Sequence, residues 1–389
     1  MSDIFINIPD PNAWVRNPDW LPLPELNEGD KKFYGLFAVF SGSRNDLTLR
    51  HVSSGATMSI DWGDGISEGL STTTDVTHYY DYSTITSSIS SDPITNTPYK
   101  QVIVECGFTN TTNFYPARQT PSTGSATMVP WLDVVIDNSD MTYLHFNPRR
   151  AQIMERLRVL NSSLSLAANN SFQYTPSLKV LDIDLSPSIQ TSQTFDNLGN
   201  VRTSNGDLIP MNFISSSTMA NTFRNSILDK VGDIYSPQAT TFRRLFIGCD
   251  ALTSVGEITA TSATTISSIF YTCQSLRKAG PIITSSSLDI IESAYRGCYN
   301  IEEIEITDCS NVTDTTNFLL YNSTVKSLTL TGLTVGVIAP GNMEAEDINA
   351  FFTSLGTASG SQTVTVTSNP GSSTCDTSIA TGKGWTVVT

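Results

Sequence analysis

Histidine is nearly absent from this sequence: His51, His78 and His145 are the three in 389 residues, and none stands beside a cysteine or serine motif. That scarcity removes the usual proton carrier of neutral-pH catalysis from most of the chain. No G-x-S-x-G or H-E-x-x-H segment occurs, so neither a nucleophile elbow nor a zinc-protease helix is indicated and no catalytic role is expected. Charge is sparse as well, at 15% of residues, and the 37 acids outnumber the 22 bases to give a net charge of −15. No basic cluster is longer than the Arg149–Arg150 pair. Phosphate backbones require concentrated positive charge, so nucleic acid is not a partner, and the same field disfavours an anionic membrane surface. No apolar stretch approaches the ~20 residues of a spanning helix, which excludes insertion as an expectation. The opening Met1-Ser-Asp-Ile-Phe-Ile-Asn-Ile-Pro-Asp has an early acid, no basic n-region and Pro9 where an apolar core would run. It does not read as a secretory signal, and synthesis and folding in a cytoplasm are expected. Six cysteines, at 106, 249, 273, 298, 309 and 375, form no C-x-x-C pair; free buried thiols are expected, with no metal or cofactor.

What the chain does contain is a repeat. Phe246-Ile-Gly-Cys249-Asp-Ala-Leu252-Thr-Ser-Val255-Gly-Glu-Ile258 returns as Phe270…Cys273…Leu276…Ala279…Ile282, and again as Tyr295…Cys298…Ile301…Ile304-Glu-Ile306, at periods of 24 and 25 residues. A weaker upstream copy begins at Phe223 with Ser226 in the cysteine position, and a downstream copy runs from Leu319 through Asn322 and Val325 to Leu328. Leu157-Arg-Val159-Leu160 and Leu178-Lys-Val180-Leu181 read as strands of degenerate copies. A unit of this length with apolar residues three apart, then a short strand, cannot bury its apolar face alone; stacking copies does it. About eight coils fit between 146 and 340, and strand spacing of about 4.8 Å makes that a rod on the order of 40 Å long.

The F-x-x-C-x-x-L motif with Ser/Thr-rich intervals resembles the BspA-type leucine-rich-repeat family, found in bacterial surface proteins and phage virion proteins. The resemblance covers roughly 120 residues well. It implies a solenoid whose core is Phe246, Cys249, Leu252, Phe270, Cys273, Leu276, Tyr295, Cys298 and Ile301, with the cysteine column internal.

After Pro340 the pattern changes. Glu344, Glu346 and Asp347 open a predicted helix carrying Ile348, Phe351, Phe352 and Leu355 on one face, and Gly356 follows its end. Acids in the first turn and glycine past the last mark these boundaries. Thr363–Thr367 alternates as a strand and Trp385–Val388 closes the chain, so 341–389 reads as an α/β cap over an edge that would otherwise pair with other chains. This ending also resembles the tails of repeat proteins from phage and bacterial surfaces.

In the N-terminal third, Ser59-Ile-Asp61-Trp62-Gly-Asp64-Gly joins strand residues to a turn, followed by His78-Tyr-Tyr-Asp-Tyr82 and the strand Val102–Cys106. W-G-D-G followed by H-Y-Y-D resembles the polycystic-kidney-disease domain family, and the resemblance implies an immunoglobulin-type β-sandwich spacer over 35–111. Asp61 and Asp64 read as turn aspartates bonding their own backbone rather than as calcium ligands. Residues 112–145 are expected to supply junction strands into the first coil. Residues 1–34, with prolines at 9, 11, 18, 22 and 24, form an extended arm. Its Trp14 and Trp20 are expected to be exposed and to dock on another subunit.

The fold class is therefore mainly β: arm, β-sandwich, solenoid and α/β cap. Asp182 and Asp184, like Glu303 and Glu305, alternate with apolar residues and should project from the strand face as solvated acids or a surface for sugars or calcium. Two functions follow. The first is a phage virion component of tail fibre or baseplate, assembled in the host cytoplasm, bound to other virion proteins through its arm and presenting the solenoid to a host glycan or protein; a variant of this reading places it on the capsid as a decoration or fibre. Such parts commonly serve symmetric homo-oligomers. The second is a bacterial cell-surface adhesin. A polysaccharide enzyme would need a carboxylate pair lining a groove, and no such pair stands out.

Overall fold

The computed structural model describes residues 14–42, 45–53, 55–71, 73, 75–92, 95–117, 130–146, 153–160, 175–183 and 194–389. With 31% strand and 6% helix the chain is mainly β, and its larger part is a β-solenoid of about nine turns. None of the helices among the described residues is long and apolar enough to cross a membrane.

Two sheets face each other at the N-terminal end. One contains β1 (Lys32–Phe40), β3 (Thr57–Asp61), β4 (Ser67–Leu70), β6 (Ser90–Ser91), β7 (Pro98–Thr109), β9 (Trp131–Asp137), β11 (Arg156–Val159) and β12 (Val180–Asp182); the other contains β2 (Asn45–Val52), β5 (Asp75–Tyr80), β8 (Asn113–Ala117) and β10 (Tyr143–Phe146). Rings close the space between them: Phe33 meets Phe114 at 5.3 Å and Trp131 at 5.3 Å, and Phe37 meets Tyr80 at 5.2 Å. Gly35 is required there, because a Cβ would lie 2.2 Å from the Trp131 ring.

The first sheet changes character along its width. β9 runs antiparallel to β1 but parallel to β11, and β11 is parallel to β12. One strand thus ends the sandwich and begins the coil stack, and the two share a hydrophobic core. A boundary at 145/146 does not describe this. β8 and β10, on either side of β9 in sequence, belong to the sandwich, whereas β9 belongs to both parts.

The expectation for the arm needs correcting. Trp20 is 6% exposed and packs on Leu36, Ala38, Phe40, Tyr99 and Leu132, with Trp14 beside it at 6.4 Å. The physical reason is that β1 is apolar on both faces, so its outer face needs a cover, and residues 14–26 supply it. Polar bonds fix the cover in place. Trp20 Nε1 donates to Tyr99 Oη at 3.1 Å, Leu21 N to Gln101 Oε1 at 2.9 Å and Trp14 Nε1 to Glu155 Oε2 at 2.8 Å. Asp133, fully buried, receives Arg16 Nε at 2.8 Å from the arm and Arg156 Nε at 2.7 Å from the first coil. The tryptophans are covered by their own chain, so they give no ground for a partner; residues 1–13 of the proposed arm lie outside the described residues.

In the coil stack, short strands pair in register from coil to coil. Val231, Val255 and Ala279 form one column, and Ile234, Ile258, Ile282 and Ile306 another. The strands are β13 (Met211–Asn212), β14 (Lys230–Val231), β15 (Ile234–Tyr235), β16 (Ser254–Val255), β17 (Ile258–Thr259), β18 (Lys278–Ala279), β19 (Ile282–Ile283), β20 (Glu303–Ile306) and β21 (Ser327–Leu330). Between the paired strands the chain bends at Gly256 and Gly280, where coils pass backbone to backbone: a Cβ on Gly280 would sit 2.6 Å from the carbonyl carbon of Gly256. The coil at Ile301 lacks this glycine and one residue, and its two strands fuse into β20.

Opposite the strands, each coil turns through residues such as 242–249. Alternate amides bond outward there: Phe242, Arg244, Phe246 and Gly248 donate to the carbonyls of Thr265, Ser267, Ile269 and Tyr271 at 2.8–3.0 Å. The amides between them bond inward, Leu245 to Phe242 and Cys249 to Phe246. Two left-handed residues per coil produce this alternation: Arg244 and Gly248, Ser268 and Thr272, Ser293 and Gly297. Inside, Phe195, Phe223, Phe246, Phe270, Tyr295 and Phe318 form one ring column with steps of 5.3–5.6 Å.

At the C-terminal end, α1 (Ala345–Ser354) packs on β21, burying Ile348, Phe351 and Phe352, and a capping box between Glu344 and Asp347 starts it. A second parallel sheet follows, of β22 (Val337–Ile338), β23 (Thr363–Thr365) and β24 (Thr386–Val388), with a 3-10 turn at Pro370–Ser373 and the short α2 (Ser378–Thr381).

The ring column sets one prediction. Phe246→Ala should destabilise the fold by about 3–5 kcal/mol through loss of a fully buried ring. Tyr295→Phe should do the reverse, adding about 1–3 kcal/mol, because the fully buried Tyr295 hydroxyl finds no hydrogen-bond partner. Denaturant unfolding monitored by circular dichroism measures both; a destabilised Tyr295→Phe would show that the hydroxyl is satisfied.

Candidate functional site

The acidic residues singled out in the sequence do not converge. Asp182 ends β12, where Arg158 Nε bonds its Oδ2 at 3.1 Å and Ser204 N its Oδ1 at 2.8 Å, so both oxygens already tie neighbouring coils together. Glu303 and Glu305 project outward from β20 while Ile304 and Ile306 point in, as the alternation implied. Lys278 stands opposite Glu303 in register. Asp182 is several coils away, on a different sheet. Asp184 lies outside the described residues. No group of three or more His, Cys, Asp or Glu that could hold a metal occurs among the described residues.

The W-G-D-G and H-Y-Y segments do meet, and they build structure. Asp61 Oδ1 accepts from Gly63 N at 2.9 Å and Asp64 Oδ1 from Ile66 N at 3.2 Å, which is the turn role expected of them. Asp64 Oδ2 lies 2.7 Å from His78 Nε2, and the imidazole stacks on Trp62 at 4.8 Å. Tyr80 Oη donates to the Trp62 carbonyl at 2.9 Å. This pins the β3–β4 hairpin of one sheet to β5 of the other.

The cysteine column has a specific bond. Cys249, Cys273 and Cys298 Sγ donate to the carbonyls of Phe223, Phe246 and Phe270 at 3.0, 2.9 and 3.0 Å, each reaching the preceding coil's ring residue. Ser226 Oγ makes the same bond to Phe195 O at 2.9 Å, which explains why serine serves in that coil. All three thiols are fully buried. Burial pushes Cys249, Cys298 and the neighbouring Cys309 up to about 12, and Cys273 well above its ordinary value.

The column breaks at its last member. Asn322 occupies the position of Cys298 one coil on, is 3% exposed, and neither Oδ1 nor Nδ2 has a hydrogen-bond partner. The outward amides break at the same coil. Ile291, Ser293, Tyr295 and Gly297 donate to the carbonyls of Asp314, Thr316, Phe318 and Leu320 at 2.9–3.1 Å. The equivalent amides of Thr315, Asn317, Leu319 and Tyr321 find no acceptor among the described residues. α1 covers the strand side of this coil, but the turn side faces a groove of about 810 Å³ whose other wall is Gly336–Ile338, Pro340, Thr363 and Thr365. No charged side chain lines it. Tyr321, 61% exposed, forms part of its lining, held by Arg296 at 5.6 Å from the ring. This groove is the candidate site. Sequence reasoning passed over it because Asn322 reads there as one more member of the cysteine column.

No family profile, characterised protein or solved structure matches the chain.

The thiol column gives a pH prediction. Folded thiols held neutral up to about 12 stabilise the fold fully below the unfolded pKa near 9, and that contribution is lost as pH rises from 9 through 12. Melting temperature should therefore fall from pH 9 upward, and a Cys249→Ser/Cys273→Ser/Cys298→Ser variant should fall less steeply. In native protein at pH 8, half-exposed Cys375 should react first with a thiol reagent, and the buried five should react only after unfolding. Rapid native labelling of Cys273 would contradict the assignment.

Proposed function

We propose that the chain is a non-catalytic binding scaffold, in which a polycystic-kidney-disease-like β-sandwich of immunoglobulin type carries a BspA-type leucine-rich-repeat solenoid closed by an α/β cap. The observation that carries this reading is the β9 strand, shared between sandwich and coil stack, whose Asp133 is bonded by Arg16 of the arm and Arg156 of the first coil. A joint of that kind transmits force and holds a surface at a fixed angle, which an attachment part needs. An enzyme would need convergent groups, and the pocketed groups near the groove are amides, threonines and apolar side chains.

Combined with the family resemblance of the repeats, the scaffold is assigned to a bacteriophage virion, as a tail-fibre or baseplate-associated protein. Its partners would be other virion proteins and a host surface glycan or protein, in a symmetric homo-oligomeric assembly. A bacterial cell-surface adhesin with the same parts is the second reading, favoured by the same repeat resemblance.

Mass spectrometry of density-purified phage particles and of host envelope fractions separates the two. Intact chain in the particles at stoichiometric level is the expected result. Chain in the envelope fraction alone would transfer the assignment to the adhesin, and chain confined to the soluble cytosol would overturn both.

A further inference from the structure

We infer that the groove beside the last coil is a binding site for an uncharged polypeptide segment of a partner chain, which takes up the turn conformation of the coils and adds one more rung to the stack. The inference rests on the scaffold reading above, though not on its virion assignment.

The donor row determines what can bind. Thr315, Asn317, Leu319 and Tyr321 present amides at every second residue. The corresponding rows at 242–248, 266–272 and 291–297 each hold four carbonyls of the next coil's turn segment at the same spacing. The left-handed residues that set the alternation are retained in this coil, at Asn317 and Tyr321. The row is therefore built as the others are and lacks only its acceptors. Backbone carbonyls of a segment folded into the same turns match such a row, and pockets beside it select side chains.

Burial supplies the second observation. Ser293 is 4% exposed in the preceding coil because the next coil covers it, whereas its counterpart Asn317 is exposed. Asn322, almost fully buried, keeps a donor and an acceptor without partners at the groove wall. An amide side chain in that state is matched by a peptide group, which offers one of each. An anion would meet no cation in the groove, within a chain of net charge −15. The apolar part of the wall, with Val337, Ile338 and Pro340, favours aliphatic or aromatic side chains on the incoming segment.

The chain itself provides a probe, since the segment Thr315–Tyr321 offers carbonyls that the preceding coil already binds. An end-blocked peptide of that sequence, Thr-Thr-Asn-Phe-Leu-Leu-Tyr, is titrated into the full-length protein labelled for amide NMR, with a peptide in which Phe and Leu are replaced by Glu as control. The expected result is saturable shifting of the amides of Thr315, Asn317, Leu319 and Tyr321 by the first peptide alone. Ile338→Arg, at a side chain 69% exposed, should leave melting unchanged and weaken binding by about ten-fold or more, since a guanidinium is costly to desolvate there. Asn322→Ala should weaken it too without loss of fold. Absence of shifts at those four amides, equal binding by the Glu peptide, or the same four amides shifting with oligosaccharides in place of peptide would overturn the inference. The chain's presence in virions would stand in each of those cases, because the particle experiment does not depend on the groove.

Discussion

The row of amides that each coil offers to the next is the constraint on which the rest of the structure depends. An amide buried between coils without an acceptor costs on the order of 1–3 kcal/mol, so a coil that offers four of them must meet four carbonyls at a matched height. That requirement aligns neighbouring coils more strictly than the hydrophobic core does, since apolar side chains tolerate small shifts and a hydrogen-bond ladder does not. The ring column, the thiols bonded to its carbonyls and the isoleucine columns all fall into register because the backbone has already been aligned. A stack of this kind has two ends, and each leaves the ladder incomplete.

The two ends are treated differently. At the N-terminal end β9 gives the first coil a ready-made strand, and the core of the sandwich continues into that of the coils, so the stack starts from a folded template. The arm then crosses the joint: Arg16 of the arm and Arg156 of the first coil both reach Asp133, and Arg156 lies over the Trp14 ring at 5.5 Å. A buried carboxylate with two guanidinium partners is costly to break at one side, and this one lies where arm, sandwich and first coil meet. At the C-terminal end α1 covers the strand side, with Ser354 Oγ accepting from Leu330 N and the Ser354 carbonyl from Gly332 N, while the turn side stays open. The scaffold and its binding groove thus have one origin: a repeating ladder closed by folding at one end and half closed at the other.

Much of this was legible from residue spacing. Phe246, Cys249 and Leu252 and their counterparts recur at the period of the coil and all are fully buried. The helix at Ala345–Ser354 could be placed from its acids and its following glycine, and Asp61 and Asp64 from turn chemistry. About nine turns exceed the eight counted from the sequence, because strands assigned to a junction take part in the stack. Other features left no local trace. Arg244, Ser268 and Thr272 are left-handed although none is glycine or asparagine, so propensity gives no sign of the alternating amides they create. Arg16 and Asp133 are 117 residues apart, and only the folded sheet joins them. The continuous apolar run of β1 did carry a sign that both its faces are covered, and hence that the arm's tryptophans lie against their own chain. The groove was illegible for a further reason: it is defined by the coil that is not there.

Native-state amide hydrogen exchange tests the ladder most directly, because it reports each donor separately. The account predicts strong protection at the outward amides of Arg244, Phe246 and Gly248, and of Ser268 and Phe270, with exchange approaching the unprotected rate at Asn317 and Tyr321 in the free protein. Uniform protection along the four rows from Phe242 to Tyr321, or rapid exchange at Phe246 and Phe270, would contradict it.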